Sequence, residues 1–110
     1  MIIDLKDEEF LSACKSKTPL EMVWELTNGN VRGLEMLALR SLRQRQKLPA
    51  PVVNILIAYF YQTYAGVVYD RNDLARLYDH WSSRQVGTVE EALRMAEEDI
   101  TKLMVQIKGR

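Results

Sequence analysis

The chain of 110 residues is long enough for one domain with a hydrophobic core, and 47% hydrophobic and 27% charged residues are typical of a globular protein. Its 15 basic residues balance 15 acidic ones, which excludes an overall field that attracts nucleic acid or anionic lipid to the whole surface. One cysteine excludes an internal disulfide and a thiolate metal cluster, and this fits a cytoplasmic protein.

Helix-start signals define the first half of the chain. An N-terminal extension, residues 1–17, is expected to hold a short helix over residues 5–14, and residues 18–110 are expected to form the main domain. Thr18 followed by Glu21 predicts a capping box that opens a helix over residues 19–27. Asn30 is then the expected cap of a long amphipathic helix over residues 31–47.

The next segment, residues 52–64, is apolar on nearly every side, which predicts a helix in the middle of the domain. Its apolar run is too short to span a membrane, for which about 20 residues are needed. After it, Asp70 is the expected cap of a helix over residues 71–84 with Leu74, Leu77, Tyr78 and Trp81 on one face.

A second capping box, Thr88 with Glu91, predicts a final helix of about twenty residues. Its apolar stripe includes Leu93, Ile100, Leu103 and Ile107, which share one face at helical spacing. The sequence as a whole therefore predicts an all-α fold, a compact bundle of five to six helices.

Residues that carry catalysis or bind cofactors are scarce. The chain has one histidine, and its five glycines are scattered, so neither a paired-histidine metal site nor a phosphate-binding loop can be recognised. A non-enzymatic protein without cofactor or metal is therefore expected.

A row of cations is the first candidate site. On the predicted helix over residues 31–47, four basic side chains fall within an arc of about 80°: Arg32, Arg40, Arg43 and Lys47. Cations spaced along a helix can neutralise successive phosphates of a nucleic acid. The alternative is a solvated face whose last charges complement the helix dipole.

Trp81 is the second candidate. Aromatic side chains with nearby arginines, such as Arg84, can form a platform on which single-stranded bases stack. The alternative is that Trp81 fills the core between packed helices, because its helical neighbours Leu74 and Leu77 are apolar.

Two segments carry a family resemblance: "LPAPVVNILIAYFY" and "DLARLYDHWSSRQVGTVEEALRMAEED". Together they resemble the C-terminal DnaD-like domain of Gram-positive replication initiation proteins, above all the replication initiation and membrane attachment branch, over about residues 18–99. The family signature is a tyrosine, an aliphatic residue four positions on and a tryptophan four further, implicated in binding single-stranded DNA. Leu77 and Trp81 match the signature, whereas Asp73 occupies the tyrosine position.

The resemblance implies a non-catalytic module that helps to load the replicative helicase. Its expected partners are single-stranded DNA and primosomal proteins, including DnaD and the helicase loader, and a second copy of the chain is possible. On this hypothesis the cations listed above and Arg84 contact phosphates, while Trp81 stacks bases or supports the surface that does.

The alternative hypothesis is a protein-interaction module that does not touch DNA. Its docking surface is the apolar stripe of the last predicted helix, Leu93, Ile100, Leu103 and Ile107. The neutral net charge and Asp73 favour this alternative. A helix-turn-helix that places the helix from Arg71 in a duplex is disfavoured, because Asp70 and Asp73 would repel phosphates.

Overall fold

The computed structural model describes residues 4–109, and this part of the chain contains α-helices and no strand. The helices are α1 (Glu8–Ser16), α2 (Pro19–Leu26), α3 (Gly33–Arg43), α4 (Ala50–Tyr64), α5 (Asp73–Ser83), α6 (Val89–Met95) and α7 (Ile100–Lys108). The predicted all-α class is confirmed. The described residues form seven helices rather than five to six, because the last predicted helix is two.

Helix α4 is the centre of the fold. Every side chain from residue 52 to residue 61 is buried, and α1, α2, α5, α6 and α7 all pack against it. An apolar helix of this kind is stable in water only when neighbours cover all its sides. In the described part of the chain, no helix combines the length and apolar character needed to cross a membrane.

Asn54 is a fully buried polar side chain within this apolar helix. Its Nδ2 donates to the backbone oxygens of Cys14, at 2.9 Å, and Lys17, at 2.7 Å. These carbonyls belong to the end of α1, where no further helical turn can satisfy them. The extension predicted over residues 1–17 thus packs on α4 with Cys14 in the core, although residues 1–3 lie outside the described residues.

The predicted helix over residues 31–47 is shorter at both ends. It begins at Gly33, where the Glu35 carboxylate accepts a hydrogen bond from the backbone N–H of Arg32 at 2.9 Å. It ends at Arg43, and residues 44–49 form a loop. The prediction that Asn30 caps this helix is therefore wrong: the N-cap is Arg32, and its backbone N–H is bonded by the carboxylate of Glu35 in the first turn.

Glu35 also holds the fold together through a buried polar cluster. Its side chain is fully buried and accepts two hydrogen bonds from Arg32, both at 2.8 Å, and one from the Tyr69 hydroxyl at 2.6 Å. Tyr69 in turn is 2.6 Å from the hydroxyl of Tyr61 on α4. Burial alone raises the pKa of Glu35, but the hydrogen bonds from Arg32 and Tyr69 outweigh it and lower the pKa from 4.5 to about 2.

The last predicted helix breaks between α6 and α7. The Asp99 carboxylate caps α7 by accepting from the backbone N–H groups of Thr101, at 2.9 Å, and Lys102, at 3.4 Å. Next to it, the carbonyl of Glu98 accepts a hydrogen bond from Tyr59 of α4 at 2.7 Å. The break allows α6 to pack on α4 while α7 packs on both α5 and α4.

Replacing Leu103 with alanine tests whether α7 belongs to the core. Leu103 is 3% exposed, so Leu103→Ala should lower the free energy of unfolding by about 2–5 kcal/mol through lost burial and a cavity. The matched control is Val105→Ala on the same helix, where the side chain is 72% exposed and the change should stay within about 0.5 kcal/mol. Equal losses in urea unfolding would contradict the packing of α7.

Replacing Glu35 with glutamine tests the buried cluster. Glu35→Gln should lower the free energy of unfolding by about 2 kcal/mol near pH 7, because a buried charged acceptor is lost. The folded-state pKa lies below the unfolded one, so the wild type keeps this contribution above about pH 4.5 and loses it as the pH falls toward about 2.

Urea unfolding of wild type and variant near pH 7 and near pH 3 measures this difference. Glu90→Gln, at an exposed position of α6, is the control and should change little at either pH. A gap between wild type and Glu35→Gln that is equally large at both pH values would contradict the role of the carboxylate.

Candidate nucleic-acid interface

The four cations predicted to share one helical face do not do so. Arg40 and Arg43 lie on the last turn of α3, whereas Lys47 lies on the loop that follows and Arg32 precedes the helix. The prediction of one continuous row is therefore wrong, because it depended on a helix that continued to residue 47.

Arg32 is separated from the others by its hydrogen bonds as well as by position. Its guanidinium donates to Glu35 and, through Nη2 at 3.0 Å, to the backbone oxygen of Val67. A guanidinium so engaged holds α3 to the segment after α4. Arg32 therefore stabilises the fold and is not part of the candidate interface.

The loop after α3 is held in place by Tyr78 of α5. The buried Tyr78 hydroxyl accepts hydrogen bonds from the backbone N–H groups of Lys47, at 3.0 Å, and Leu48, at 2.9 Å, and donates to the carbonyl of Arg45 at 3.0 Å. Three hydrogen bonds from one hydroxyl fix the loop's path outside any helix. The sequence predicts Tyr78 as a core residue or as one of the aromatic side chains that could stack bases. Its hydrogen bonds to the loop depend on a contact across 30 residues or more and leave no local signal.

Arg45 is fixed as well. Its Nε and Nη2 donate to the two carboxylate oxygens of Asp79 at 2.8 and 3.3 Å, and its Nη1 donates to the backbone oxygen of Ser41 at 2.6 Å. The two-point contact neutralises Asp79, the acidic residue nearest to this loop on α5. The loop is thus rigidly placed, and Asp79 does not oppose the surrounding cations.

Four exposed cations remain at this end of the molecule, and we call them the cationic patch: Arg40, Arg43, Lys47 and Arg84. None of them makes an ion pair with any residue from 4 to 109. Lys47 borders a polar depression whose other side includes Ser82 and Ser83 of α5, and Arg84 follows directly at the end of that helix. The chain has no acidic residue between Glu35 and Asp70, so three members of the patch, Arg40, Arg43 and Lys47, lie in an acid-free segment.

Trp81 and Leu77 are both fully buried, and this corrects their predicted contact with DNA. The Trp81 ring stacks on Tyr59 of α4, with centroids 5.9 Å apart and an angle of 27° between the planes. A ring enclosed in this way cannot receive a base. The alternative interpretation of Trp81, as a core residue between helices, is the one that the structure supports.

Asp73, at the signature tyrosine position, is also inside. It is 5% exposed and forms ion pairs with Arg76, at 2.9 Å, and with Lys108 of α7, at 3.3 Å. This position therefore connects α5 to α7. The three signature positions together form a buried row, and none of them presents a surface to a nucleic acid.

The stripe predicted to bind a partner is mostly core. Ile100 and Leu103 are buried, and Leu93 and Ile107 are half-buried against the same cluster. The stripe is divided by the break between α6 and α7, so these four side chains do not form the continuous surface that was predicted. A separate exposed apolar residue, Trp24 on α2, is 58% exposed, and no sequence pattern predicts its exposure.

Comparison with known proteins adds no family: no family model matches the chain, and no solved structure matches it. A function for this end of the molecule therefore depends on its own chemistry. That chemistry is four cations without ion pairs, of which Lys47 lies on a fixed loop beside the serine hydroxyls, and it suits a ligand that carries several negative charges.

Proposed function

We propose that this chain is a non-catalytic DnaD-like domain of DNA replication initiation, which binds single-stranded DNA and acts with primosomal proteins during helicase loading. The observation that carries the proposal is the cationic patch. Four such side chains can neutralise about four phosphates, which gives binding without sequence preference and with a strong dependence on salt. The sequence resemblance supplies the biological setting, with DnaD and the helicase loader as the expected partners.

The shape of the patch favours a single strand over a duplex. The cations lie on two helix ends and a loop, and a flexible strand can follow such an irregular path. A recognition helix must present an exposed face to the major groove. Helix α5 cannot do this, since seven of its 11 residues are buried and Asp79 lies on the exposed side.

Trp81 and Tyr78 act in this proposal as positioning residues. Trp81 fixes α5 against α4, and Tyr78 fixes the loop that carries Lys47 against α5. Bases would not stack on either ring, because both are buried. Affinity would therefore come from phosphate contacts, and it would depend little on base identity.

The alternative, a protein-interaction module that uses the last helix, is less well supported. Its four residues lie in or against the core, and their removal would be expected to unfold the domain rather than to release a partner. Primosomal partners would have to bind elsewhere on the surface.

Reversing two charges of the patch tests the proposal. Arg40→Glu with Arg43→Glu should weaken binding of a fluorescein-labelled single-stranded oligonucleotide on the order of tenfold or more at low salt. The slope of log affinity against log salt should shrink by about 1.4, since each phosphate contact on a single strand contributes about 0.7. Fluorescence anisotropy at several salt concentrations measures both quantities, with a duplex of the same sequence alongside.

The control has the same change in net charge at a distance from the patch. Arg94→Glu with Lys102→Glu alters exposed positions of α6 and α7 and should keep most of the affinity. Thermal unfolding establishes that both double variants are folded. The proposal is wrong if the wild type shows no saturable binding at low salt, or if the two double variants lose affinity equally.

A further inference from the structure

An apolar groove lies beside the cationic patch, between the start of α2, the last turns of α3 and the start of α4. It encloses about 420 Å³, which is within the range of pockets that hold ligands or large side chains. Its walls are aliphatic: Leu20, Leu39, Leu42, Leu48 and Val53. No side chain of residues 4–109 fills this space.

The rim of the groove is positively charged. Arg43 and Arg45 line it, and no aspartate or glutamate among residues 4–109 does so. Arg43 is exposed and supplies the uncompensated charge of the rim, because Arg45 is paired with Asp79 and donates to the Ser41 carbonyl. An occupant with a large apolar group and acidic neighbours would therefore complement both the walls and the rim.

The chain itself carries such a group. Trp24 on α2 is 58% exposed, and the exposed Glu21 lies on the same helix within one turn of it. The neighbouring Glu25 is already paired with Lys17, so Glu21 is the acidic side chain that could meet the rim. Its ring lies on the backbone of Gly29, which has φ +81°, and a Cβ at that position would be 3.3 Å from the indole. The indole therefore lies on the surface against Gly29, and an exposed aromatic side chain of this kind is typical of interface centres.

The aromatic anchor, Trp24, and the groove that would receive it lie on the same side of α2. Leu20 of the groove and Trp24 are four residues apart, so they lie about 40° apart around the helix. Two further exposed apolar side chains, Met36 and Leu37, lie on α3, which packs on α2. Half of the six exposed large apolar side chains among the described residues therefore belong to the two helices that frame the groove.

We propose that a second copy of this chain occupies the groove, and that Trp24 of each copy inserts between α2, α3 and α4 of the other. An anchor and its pocket on neighbouring turns of one helix allow both contacts to form about a single twofold axis. A DNA base is a poorer occupant, because the walls are aliphatic and Tyr78, the one aromatic side chain that lines the groove, is buried with its hydroxyl bonded to the loop.

This inference goes beyond the proposed function and does not rest on it, since it is measured without DNA. Sedimentation equilibrium of the full chain over a wide concentration range should show a monomer–dimer equilibrium. Two variants should each be monomeric: Trp24→Ala, which removes the anchor, and Ala50→Trp, which fills the groove from an exposed position at the start of α4.

Mixing the two monomeric variants gives the sharpest result. Ala50→Trp keeps the anchor and Trp24→Ala keeps the groove, so the mixture should form a heterodimer through one of the two contacts, with weaker affinity than the wild type. Val105→Ala removes an exposed apolar side chain on α7 and should leave the dimer unchanged.

Three results would overturn the inference, provided that thermal unfolding shows the variants to be folded. These are a wild type that stays monomeric at the highest concentration, a Trp24→Ala variant that still dimerises, and a mixture that does not associate. The first would leave the groove to some other occupant.

Discussion

The burial of α4 on all sides is the constraint on which the rest of the structure depends. An apolar helix with no polar face has to be covered by its neighbours, and helices before and after it in the chain supply that cover. The aromatic side chains follow from this. Tyr59 meets Trp81 of α5, and Phe60 packs against Tyr64 and Tyr69. The aromatic side chains that look most suited to stacking bases are therefore buried in the core, because they pack on or around α4.

The same constraint explains where the charges can act. The neighbouring helices each use one face to cover α4, so polar contacts with solvent are left to their outer faces, the helix ends and the loops. The cationic patch occupies such positions, on the last turn of α3, the following loop and the end of α5. Tyr78 connects the core to this surface, since its ring packs in the core and its hydroxyl accepts hydrogen bonds from the loop that carries Lys47. Core packing thus determines the geometry of a surface without contributing a residue to it.

Local signals made much of the fold predictable. The capping box of Thr18 and Glu21 is formed as expected, with the Glu21 backbone N–H 3.2 Å from the Thr18 hydroxyl, and the apolar run identified α4 as central. The end of α3 was missed because hydrogen bonds from Tyr78, distant in sequence, compete with helix continuation. The break before α7 did have a local signal, an aspartate at an N-cap position, but the unbroken apolar periodicity concealed it.

The residues of the candidate site were also predictable only in part, because local spacing does not show contacts between distant residues. Charge spacing identified Arg40, Arg43 and Lys47 even though the helix assumed for them was too long. It could not separate Arg32 from them, because the burial of Glu35 depends on Tyr69, 34 residues away. A helical wheel placed Leu77 and Trp81 on one apolar face, which left both burial and contact with DNA open for Trp81. Periodicity defines an apolar face, but only tertiary packing decides what covers it.

The most direct measurement is a nuclear magnetic resonance titration of the ¹⁵N-labelled chain with a short single-stranded oligonucleotide at low salt. The account predicts that amide shifts concentrate between Arg40 and Lys47 and around Arg84, while the indole N–H signal of Trp81 stays in place. Shifts that concentrate on α7, or a large shift of the Trp81 indole signal, would contradict it. A spectrum that does not respond to the oligonucleotide would remove DNA from the function of this chain.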